Sequence, residues 1–161
     1  MQIIEATNPS QLDQIKELFR EYYHFLASDH NLDINYQGIE EELSSLPGKF
    51  TAPFGRLLLA LEEGHAVGCA AMRPLEEDIC ELKRMYVLPQ YRGLGIGKAL
   101  ALELIQDAKE IGYVRMRLDT ASFLTAARKL YESLGFQLIE PYNDVPEDIR
   151  QIALFMELSL E

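Results

Sequence analysis

One segment, residues 89–98, constrains this chain more than any other, because it joins a strand-like apolar run to a long amphipathic helix pattern. It reads Pro-Gln-Tyr-Arg-Gly-Leu-Gly-Ile-Gly-Lys and places three alternate glycines between two cations. Glycine lets the backbone turn so that successive N–H groups converge on one anion. The start of a helix adds unpaired N–H groups and a partial positive charge at the same place. The segment therefore predicts a pyrophosphate site built mostly from backbone.

Two other glycine-rich loops bind phosphate groups, and both fail on spacing. A Walker A loop has four residues between its first glycine and Gly-Lys, followed by Ser or Thr for magnesium. Here three residues separate Gly93 from Gly97, and Ala99 follows Lys98. A dinucleotide loop reads G-x-G-x-x-G within an early βαβ unit, whereas this loop reads G-x-G-x-G past the middle of the chain. The remaining alternative is a plain strand-to-helix turn.

Charge is distributed unevenly along the chain. The chain has 15 Lys and Arg against 26 Asp and Glu, a net charge of −11, yet residues 83–129 hold nine cations and only four acids. Such a split focuses an anionic ligand on one region of an otherwise anion-repelling surface. Nucleic acid is a poor candidate, because it needs a broad basic face on the protein. A small, multiply phosphorylated ligand fits better, although a chance scatter of surface charge is the alternative.

Size and composition limit the number of domains and the kinds of site that we expect. With 161 residues, 48% of them hydrophobic, the chain can build a core without metal or disulfide support. We expect one domain over residues 1–161 and no metal site, because no Cys/His cluster has zinc spacing. The chain shows neither a stretch of roughly twenty apolar residues nor a signal segment, which predicts a cytoplasmic protein without membrane contact. Cys69 and Cys80 are expected to be reduced core residues.

Hydrophobic periodicity and turn residues predict alternating helices and strands. Asn8 with Pro9 and Gln11 is typical of a helix start, and Gly112 and Gly135 are typical of helix ends. The predicted strands are residues 2–6, 56–62, 65–73, 78–88, 114–119, 136–140 and 152–158. The predicted helices are residues 8–28, 36–46, 96–111 and 122–134. A turn at residues 74–77 would join two strands of an antiparallel meander. The order β-α-α-β-β-β-α-β-α-β-β suits a mixed sheet with helices on both faces.

Two motifs in this frame resemble those of the GNAT superfamily of N-acetyltransferases, which use acetyl-coenzyme A. The first is Gln90-Tyr91-Arg92-Gly93-Leu94-Gly95, similar to that family's Gln/Arg-x-x-Gly-x-Gly/Ala loop. The second is Ala127-Arg128-Lys129-Leu130-Tyr131-Glu132-Ser133-Leu134-Gly135-Phe136, similar to its A-x-x-L-Y-x-x-x-G-F helix ending. With the element order, the resemblance covers residues 56–140. It implies an α/β (α+β) fold whose GNAT-like, largely antiparallel central sheet has about six to seven strands, flanked by helices on both faces.

The resemblance also implies how acetyl-CoA would bind. The loop and the helix start would hold the pyrophosphate through Arg92, Gly93, Leu94, Gly95, Ile96, Gly97 and Lys98. The backbone of Met85 and Val87 would pair with the amides of the pantetheine arm like an added strand. Tyr86, Ala127 and Tyr131 complete the predicted coenzyme site. The arm would enter where the central strand diverges from its parallel neighbour, residues 115–119.

Direct transfer of an acetyl group requires two proton movements, because the attacking amine must be neutral and the departing thiolate must be protonated or stabilised. Tyr131, at the position of the family's helix tyrosine, is the predicted acid, since a phenol stays protonated at neutral pH. A tyrosine that only packs in the helix stripe is the alternative. Glu81 is the predicted base, acting directly or through water. A strand glutamate that faces solvent or pairs with neighbouring cations is equally consistent with the pattern.

The chain departs from the family pattern shortly before the last helix. Many relatives carry an asparagine where this chain has Leu124, so Ser122, Thr120 or Thr125 would make that contact, or it is absent. The acceptor pocket is expected to involve the N-terminal helices and the loop after Glu140. Their aromatic and acidic side chains suit a small cationic amine, although each also fits an ordinary core or surface role. These residues are Tyr22, Tyr23 and Tyr142 above all, with His24, Asp29, Tyr36 and Asp144.

The predicted function is therefore acetyl transfer from acetyl-CoA to the primary amine of a small or amino-acid-like molecule. A peptide or protein amine is a second option for the acceptor. A non-catalytic module that binds acyl-CoA is the alternative from another functional class. No nucleic acid, membrane or metal partner is expected, and a homodimer is one option for the oligomeric state.

Overall fold

The computed structural model describes residues 1–29 and 36–161, apart from the side chains of Asp29, Tyr36, Gln37 and Asp148. The strands are β1 Gln2–Glu5, β2 Arg56–Glu62, β3 His65–Glu76, β4 Ile79–Val87, β5 Arg115–Ala121, β6 Gln137–Ile139 and β7 Ala153–Ser159. They form one seven-stranded sheet in the spatial order β1-β2-β3-β4-β5-β7-β6. Every neighbouring pair is antiparallel except β4 and β5, which are parallel. The largely antiparallel sheet predicted from the sequence is confirmed.

Helices cover both faces of this sheet, as the sequence predicts. They are α1 Pro9–Asp29, α2 Tyr36–Ser45, α3 Ile96–Ile111, α4 Thr125–Ser133 and α5 Glu147–Arg150. The first four correspond to the predicted helices, whereas the single turn of α5 was not predicted. Among the residues described, no helix combines the length and the apolar character needed to cross a bilayer.

One predicted boundary is wrong. The sequence predicts a turn at residues 74–77, but β3 continues to Glu76 and the turn lies at residues 77–78. Proline donates no ladder hydrogen bond, so strands tolerate it at bulges or along an unpaired edge. Both conditions hold here, because β2 pairs with β3 only as far as Met72 and the β3–β4 register shifts between Pro74 and Glu76.

The sheet separates two apolar cores, because side chains alternate between its faces along each strand. Leu58 faces the core that α3 and α4 complete, whereas Leu57 faces the core that α1 and α2 complete. Cys80 belongs to the first core and Cys69 to the second. Both cysteines are buried free thiols, which confirms the sequence-based expectation.

The start of α1 is fixed by reciprocal capping contacts. The N–H of Gln11 donates to Oδ1 of Asn8 at 2.9 Å, while Oε1 of Gln11 accepts the N–H groups of Thr7 and Asn8 at 2.9 and 3.2 Å. Pro9 occupies the first helical position, where no N–H is needed. These contacts satisfy donors that a helix start otherwise leaves unpaired. They confirm the predicted start of α1.

A bulge interrupts the pairing of β3 with β4 at the middle of the sheet. Cys69 lies opposite Tyr86 and Ala71 opposite Lys83, so the register shifts by one residue between these pairs. Two β4 residues, Arg84 and Met85, thus face a single residue of β3, and Arg84 has a φ of 59°. A bulge of this kind re-aims the side chains that follow it. Tyr86 consequently points into the α1–α2 core.

The parallel strands β4 and β5 pair over only three positions, from Ile79 opposite Arg115 to Glu81 opposite Arg117. Beyond that point β4 follows β3 as far as Val87, whereas β5 follows β7 as far as Ala121. The two strands therefore separate in the middle of the sheet. Their separation leaves backbone groups on their facing edges available to a ligand.

Candidate active site

A cleft of about 640 Å³ opens where β4 and β5 separate. Residues 82–87 of β4 form one wall, and Asp119, Thr120 and residues 123–127 form the other. Tyr22 and Phe25 of α1 border the cleft on the helical side. The glycine-rich loop and the start of α3 close one end.

The loop presents backbone amides to the cleft. Gly93 and Gly95 have φ values of 81° and 85°, a left-handed conformation that favours glycine. A Cβ atom on either glycine would meet nothing within 4 Å, so open space lies beside the loop backbone. The first helical hydrogen bond of α3 runs from the N–H of Ala99 to the carbonyl of Gly95 at 3.0 Å. The three amides before it, at residues 96–98, form the helix end that suits a diphosphate.

Most residues predicted to bind coenzyme line this cleft. Met85, Tyr86 and Val87 form the β4 wall, and Ala127 lies on the opposite wall. Within the loop, the residues that line the cleft are Arg92, Gly93, Gly95, Ile96, Gly97 and Lys98. Leu94 is the exception, because its side chain is 68% exposed and lies outside the cleft lining.

Arg92 folds back toward β4. Its Nε donates to the carbonyl of Val87 at 2.9 Å, and its guanidinium lies 4.9 Å from the ring centre of Phe25 and 5.4 Å from that of Tyr86. The sequence predicts Arg92 at the pyrophosphate and Val87 at the pantetheine arm. In the structure the two groups are partners of each other, at the boundary between those two regions.

Tyr131 projects from α4 into the cleft. Its side chain is buried, with 4% exposed, and its ring meets that of Phe136 edge-on at 5.6 Å. Burial raises the pKa of the Tyr131 phenol, and the neighbouring Tyr22 and Asp119 raise it further. Tyr131 therefore remains a proton donor at neutral pH.

Glu81 lies at the vertex where β4 and β5 separate, but the structure does not bring it to the cleft wall. It is fully buried. Its carboxylate accepts hydrogen bonds from Arg73 Nε at 2.8 Å and from the Tyr142 hydroxyl at 2.6 Å, and Nζ of Lys83 lies 3.5 Å away. Burial alone would raise the pKa of Glu81, but Lys83, Tyr142 and Arg73 together lower it. Its role as the base stays a prediction.

A second carboxylate, the partly buried Glu42 on α2, links the helical layer to the bulge. It accepts hydrogen bonds from Arg84 at 2.8 and 3.1 Å and from the Tyr23 hydroxyl at 2.7 Å, and Lys49 lies 3.4 Å away. Burial would raise the pKa of Glu42, but the hydrogen bonds and charge of Arg84 outweigh it and lower the pKa to about 2. Glu42 is therefore ionised at neutral pH, and Arg84 is held against the cleft by it.

The residues predicted for the acceptor pocket are placed differently from one another. Tyr22 lines the cleft, and burial raises its pKa to about 12. Tyr23 and Tyr142 are not among the lining residues; the Tyr23 hydroxyl donates to Glu42 and the Tyr142 hydroxyl donates to Glu81. His24 and Asp144 do not line the cleft. The side chains of Asp29 and Tyr36 lie outside the described residues.

At the position of the family's asparagine, Leu124 lines the cleft with Thr120 and Thr125, whereas Ser122 does not. The structure also brings in residues that sequence reasoning missed, namely Lys83, Arg84, Asp119, Phe123 and Phe25. No local sequence signal marks Asp119, because its place in the cleft follows from the separation of β5 from β4 after Arg117. Among the described residues, no group of three or more His, Cys, Asp or Glu side chains is arranged to hold a metal ion.

A family model described as the acetyltransferase (GNAT) family matches residues 12–136, well over half of the chain. This chain belongs to the GNAT family of acetyltransferases. A Schizosaccharomyces pombe relative, described as an uncharacterized N-acetyltransferase, is 39% identical over 142 residues, covering 86% of this chain and 85% of the relative. The resemblance stated from the two motifs is confirmed, and the chain is an N-acetyltransferase of this family.

Two further proteins similar to this GNAT enzyme have informative names. The N-acetylaspartate synthetase of Xenopus tropicalis is 46% identical over 80 residues, which cover 49% of this chain and 30% of that protein. A solved structure of a Salmonella typhimurium protein described as an acetyltransferase, with its cofactor acetyl-CoA, superposes with a TM-score of 0.71 at 24% identity. It covers 100% of this chain and 94% of that chain. This GNAT enzyme therefore shares the fold of the Salmonella typhimurium protein over its whole length.

The bonding of Glu42 predicts a pH-dependent stability. Because its pKa falls from 4.5 to about 2 on folding, its contribution is complete above pH 4.5 and is lost as the pH falls through 2. We expect Glu42→Gln to lower the free energy of unfolding by about 1–3 kcal/mol at neutral pH, with the difference from wild type shrinking toward pH 2. Urea unfolding of both proteins between pH 7 and pH 2 measures this difference in the free energy of unfolding.

The control for this measurement is Glu40→Gln on the same helix. Glu40 is exposed and forms an ion pair with Arg20 at 3.7 Å, and exposed ion pairs contribute little. A Glu42→Gln variant that loses no more stability than Glu40→Gln would contradict the assigned role of the Glu42 cluster.

Proposed function

We propose that this GNAT enzyme transfers the acetyl group of acetyl-CoA to the primary amine of a small or amino-acid-like molecule by direct attack. The observation that carries the proposal is the cleft between β4 and β5, which joins the amides of α3 to the proton donor Tyr131. The Salmonella typhimurium protein, which is similar in fold, holds acetyl-CoA. The name of the similar N-acetylaspartate synthetase points to an amino acid as acceptor.

The residues at the loop end of the cleft fit a diphosphate. Three amides at residues 96–98 precede the first helical hydrogen bond, and open space lies beside Gly93 and Gly95. Lys98 lines this end of the cleft and adds a positive charge. Helix-start amides and a nearby cation are the donors that bind phosphate oxygens in proteins. This donor set supports the loop as the site of the coenzyme's pyrophosphate.

The β4 wall fits the amide-containing arm of the coenzyme. Beyond the vertex, β4 has no partner strand on its β5 side, so the backbone of Met85 and Val87 can pair with an extended ligand. The carbonyl of Val87 currently accepts from Arg92. We infer that Arg92 exchanges this carbonyl for the coenzyme's diphosphate on binding.

Acetyl-CoA supplies a thioester, whose carbonyl carbon is open to attack by a neutral amine. The acceptor's nitrogen forms a bond to that carbon, and the bond from carbon to sulfur breaks. Tyr131, whose phenol is protonated at neutral pH and lines the cleft, donates its proton to the departing sulfur. No covalent bond to the protein is needed.

We further propose that residues 1–161 act as a single domain, because strands from both ends of the chain join one sheet. A cytoplasmic location fits the two buried free thiols, Cys69 and Cys80, since reducing compartments preserve free cysteine.

The function is tested by mixing the protein and acetyl-CoA with a panel of amines and measuring release of free thiol. The panel contains the common amino acids, polyamines, and short peptides with free N-termini. We expect turnover with at least one free amino acid. Turnover on peptides alone would show that the acceptor is a peptide amine and not a free amino acid. Tight CoA binding without turnover on any amine would contradict the enzymatic proposal.

Replacing Gly95 tests the loop. Gly95→Val forces a branched side chain into a left-handed conformation and fills the space beside the amides. We expect CoA affinity, measured by calorimetry, to fall by about tenfold or more, the cost of one lost charge-assisted hydrogen bond.

The matched control is Gly64→Val, because Gly64 has a similar φ of 82° and equally open surroundings in the β2–β3 turn. Both variants carry the same backbone strain of about 1–3 kcal/mol. The loop assignment is contradicted if both variants bind CoA equally well.

Replacing Tyr131 tests the acid. Tyr131→Phe keeps the packing against Phe136 but removes the proton, so kcat should fall by about 10²-fold or more while CoA affinity is retained. Tyr113→Phe is the control, because the Tyr113 hydroxyl donates to the carbonyl of Phe54 at 2.8 Å, away from the cleft. A turnover number unchanged by Tyr131→Phe would leave Tyr131 with a packing role only.

A further inference from the structure

Asp119 contributes a carboxylate to the cleft from β5. It lies on β5 two residues beyond Arg117, the last β5 residue that pairs with β4. Its side chain is exposed and lines the cleft. The strand geometry therefore places a carboxylate on the wall opposite β4, just past the vertex.

The titratable side chains that line the cleft are Tyr22, Lys83, Arg84, Tyr86, Tyr91, Arg92, Lys98, Asp119 and Tyr131. Lysine and arginine side chains are already protonated at neutral pH, and tyrosine side chains keep their protons. Burial strengthens this for Tyr22 and Tyr131, whose pKa values are raised. Among the described lining residues, Asp119 is the one side chain that carries a carboxylate, a group that commonly acts as a general base.

Asp119 and the predicted proton donor Tyr131 line the same cleft. Its negative charge contributes to the raised pKa values of Tyr22, Tyr131 and Tyr142. These tyrosines belong to α1, to α4 and to the loop between β6 and β7 respectively. The charge of Asp119 is therefore felt by tyrosines of three different elements, of which Tyr22 and Tyr131 line the cleft with it.

Asp119 differs from the other carboxylates in this region. Glu42, Glu81 and Glu157 each accept a hydrogen bond from an arginine. Within the part of the chain that the structure describes, Asp119 has neither an ion pair nor a side-chain hydrogen bond. A carboxylate that is exposed to the cleft and uncommitted can bind the N–H of an incoming amine.

We propose that Asp119 is the catalytic base that contacts the acceptor's nitrogen. This inference rests on the proposed function. As the bond from nitrogen to the acetyl carbon forms, the nitrogen's proton becomes strongly acidic and passes to the Asp119 carboxylate. The bond from carbon to sulfur breaks, and sulfur takes the proton of Tyr131. A water then carries the proton from Asp119 back to Tyr131, so that amine and thioester become amide and thiol with no net change in protons.

This assignment separates Asp119 from Glu81. Glu81 is fully buried, bonded to Arg73 and Tyr142, and does not line the cleft, so an amine in the cleft does not contact it. We assign Glu81 a positioning role, in which it holds the loop residue Tyr142 and the strand residue Arg73 at the vertex.

The test uses the panel amine with the highest kcat/KM as substrate, acetyl-CoA as donor, and CoA for binding. Asp119→Asn should lower kcat by about 10²-fold or more, while CoA affinity measured by calorimetry is unchanged. Glu132→Gln is the matched control, because Glu132 is an acid one residue after Tyr131 that pairs with Arg128 at 3.0 Å outside the cleft. It should retain wild-type turnover.

Chemical rescue distinguishes a base from a structural role. In Asp119→Ala, added sodium formate should restore part of the lost turnover, because formate can occupy the vacated position and accept the proton, whereas equal sodium chloride should not. Turnover retained in Asp119→Asn, or an Asp119→Ala enzyme that formate leaves equally slow, would overturn the assignment. A wild-type protein that binds CoA but acetylates no panel amine would instead overturn the proposed function, and this inference with it.

Discussion

The separation of β4 from β5 beyond the pair of Glu81 and Arg117 is the constraint on which the site depends. A continuous sheet would pair these backbones and fill the space with side chains. Because each strand instead follows its outer neighbour, a cleft opens in the middle of the sheet, and the helices α3 and α4 that follow β4 and β5 reach it at their N-terminal ends. One topological feature thus creates both the backbone edge and the amide cluster.

A network of charged groups surrounds the vertex where β4 and β5 separate. Glu81 bonds to Arg73 and Tyr142, and Arg117 bonds to Glu157 at 2.7 Å while its guanidinium lies 5.3 Å from the Tyr142 ring centre. A buried carboxylate such as Glu81 is costly unless it is paired. The network therefore favours one arrangement of β4, β5 and the loop after β6. It explains why a fully buried glutamate exists beside the cleft without lining it.

The parts of the fold that local chemistry dictates could be predicted from the sequence. The Asn8 cap, the left-handed glycines at 93 and 95, and the end of α3 at Gly112 all follow from short-range backbone preferences. The parts that depend on long-range pairing could not. Asp119 reaches the cleft only because β5 leaves β4 after Arg117, a feature of register that no local pattern contains. For the same reason, the Pro74 boundary was wrong.

The bulge in β4 links the cleft to the helical layer. Arg84 adopts a left-handed φ of 59°, which costs about 1–3 kcal/mol in a residue other than glycine. Two charge-assisted hydrogen bonds to Glu42 offset this cost, since each contributes about 1.5–3 kcal/mol. The conformation of the β4 wall is therefore stabilised by α2 as well as by the sheet. Under the proposed function, an acceptor that contacts α1 and α2 would therefore bear on the wall that we propose to hold the coenzyme, through the contacts of Glu42 with Arg84.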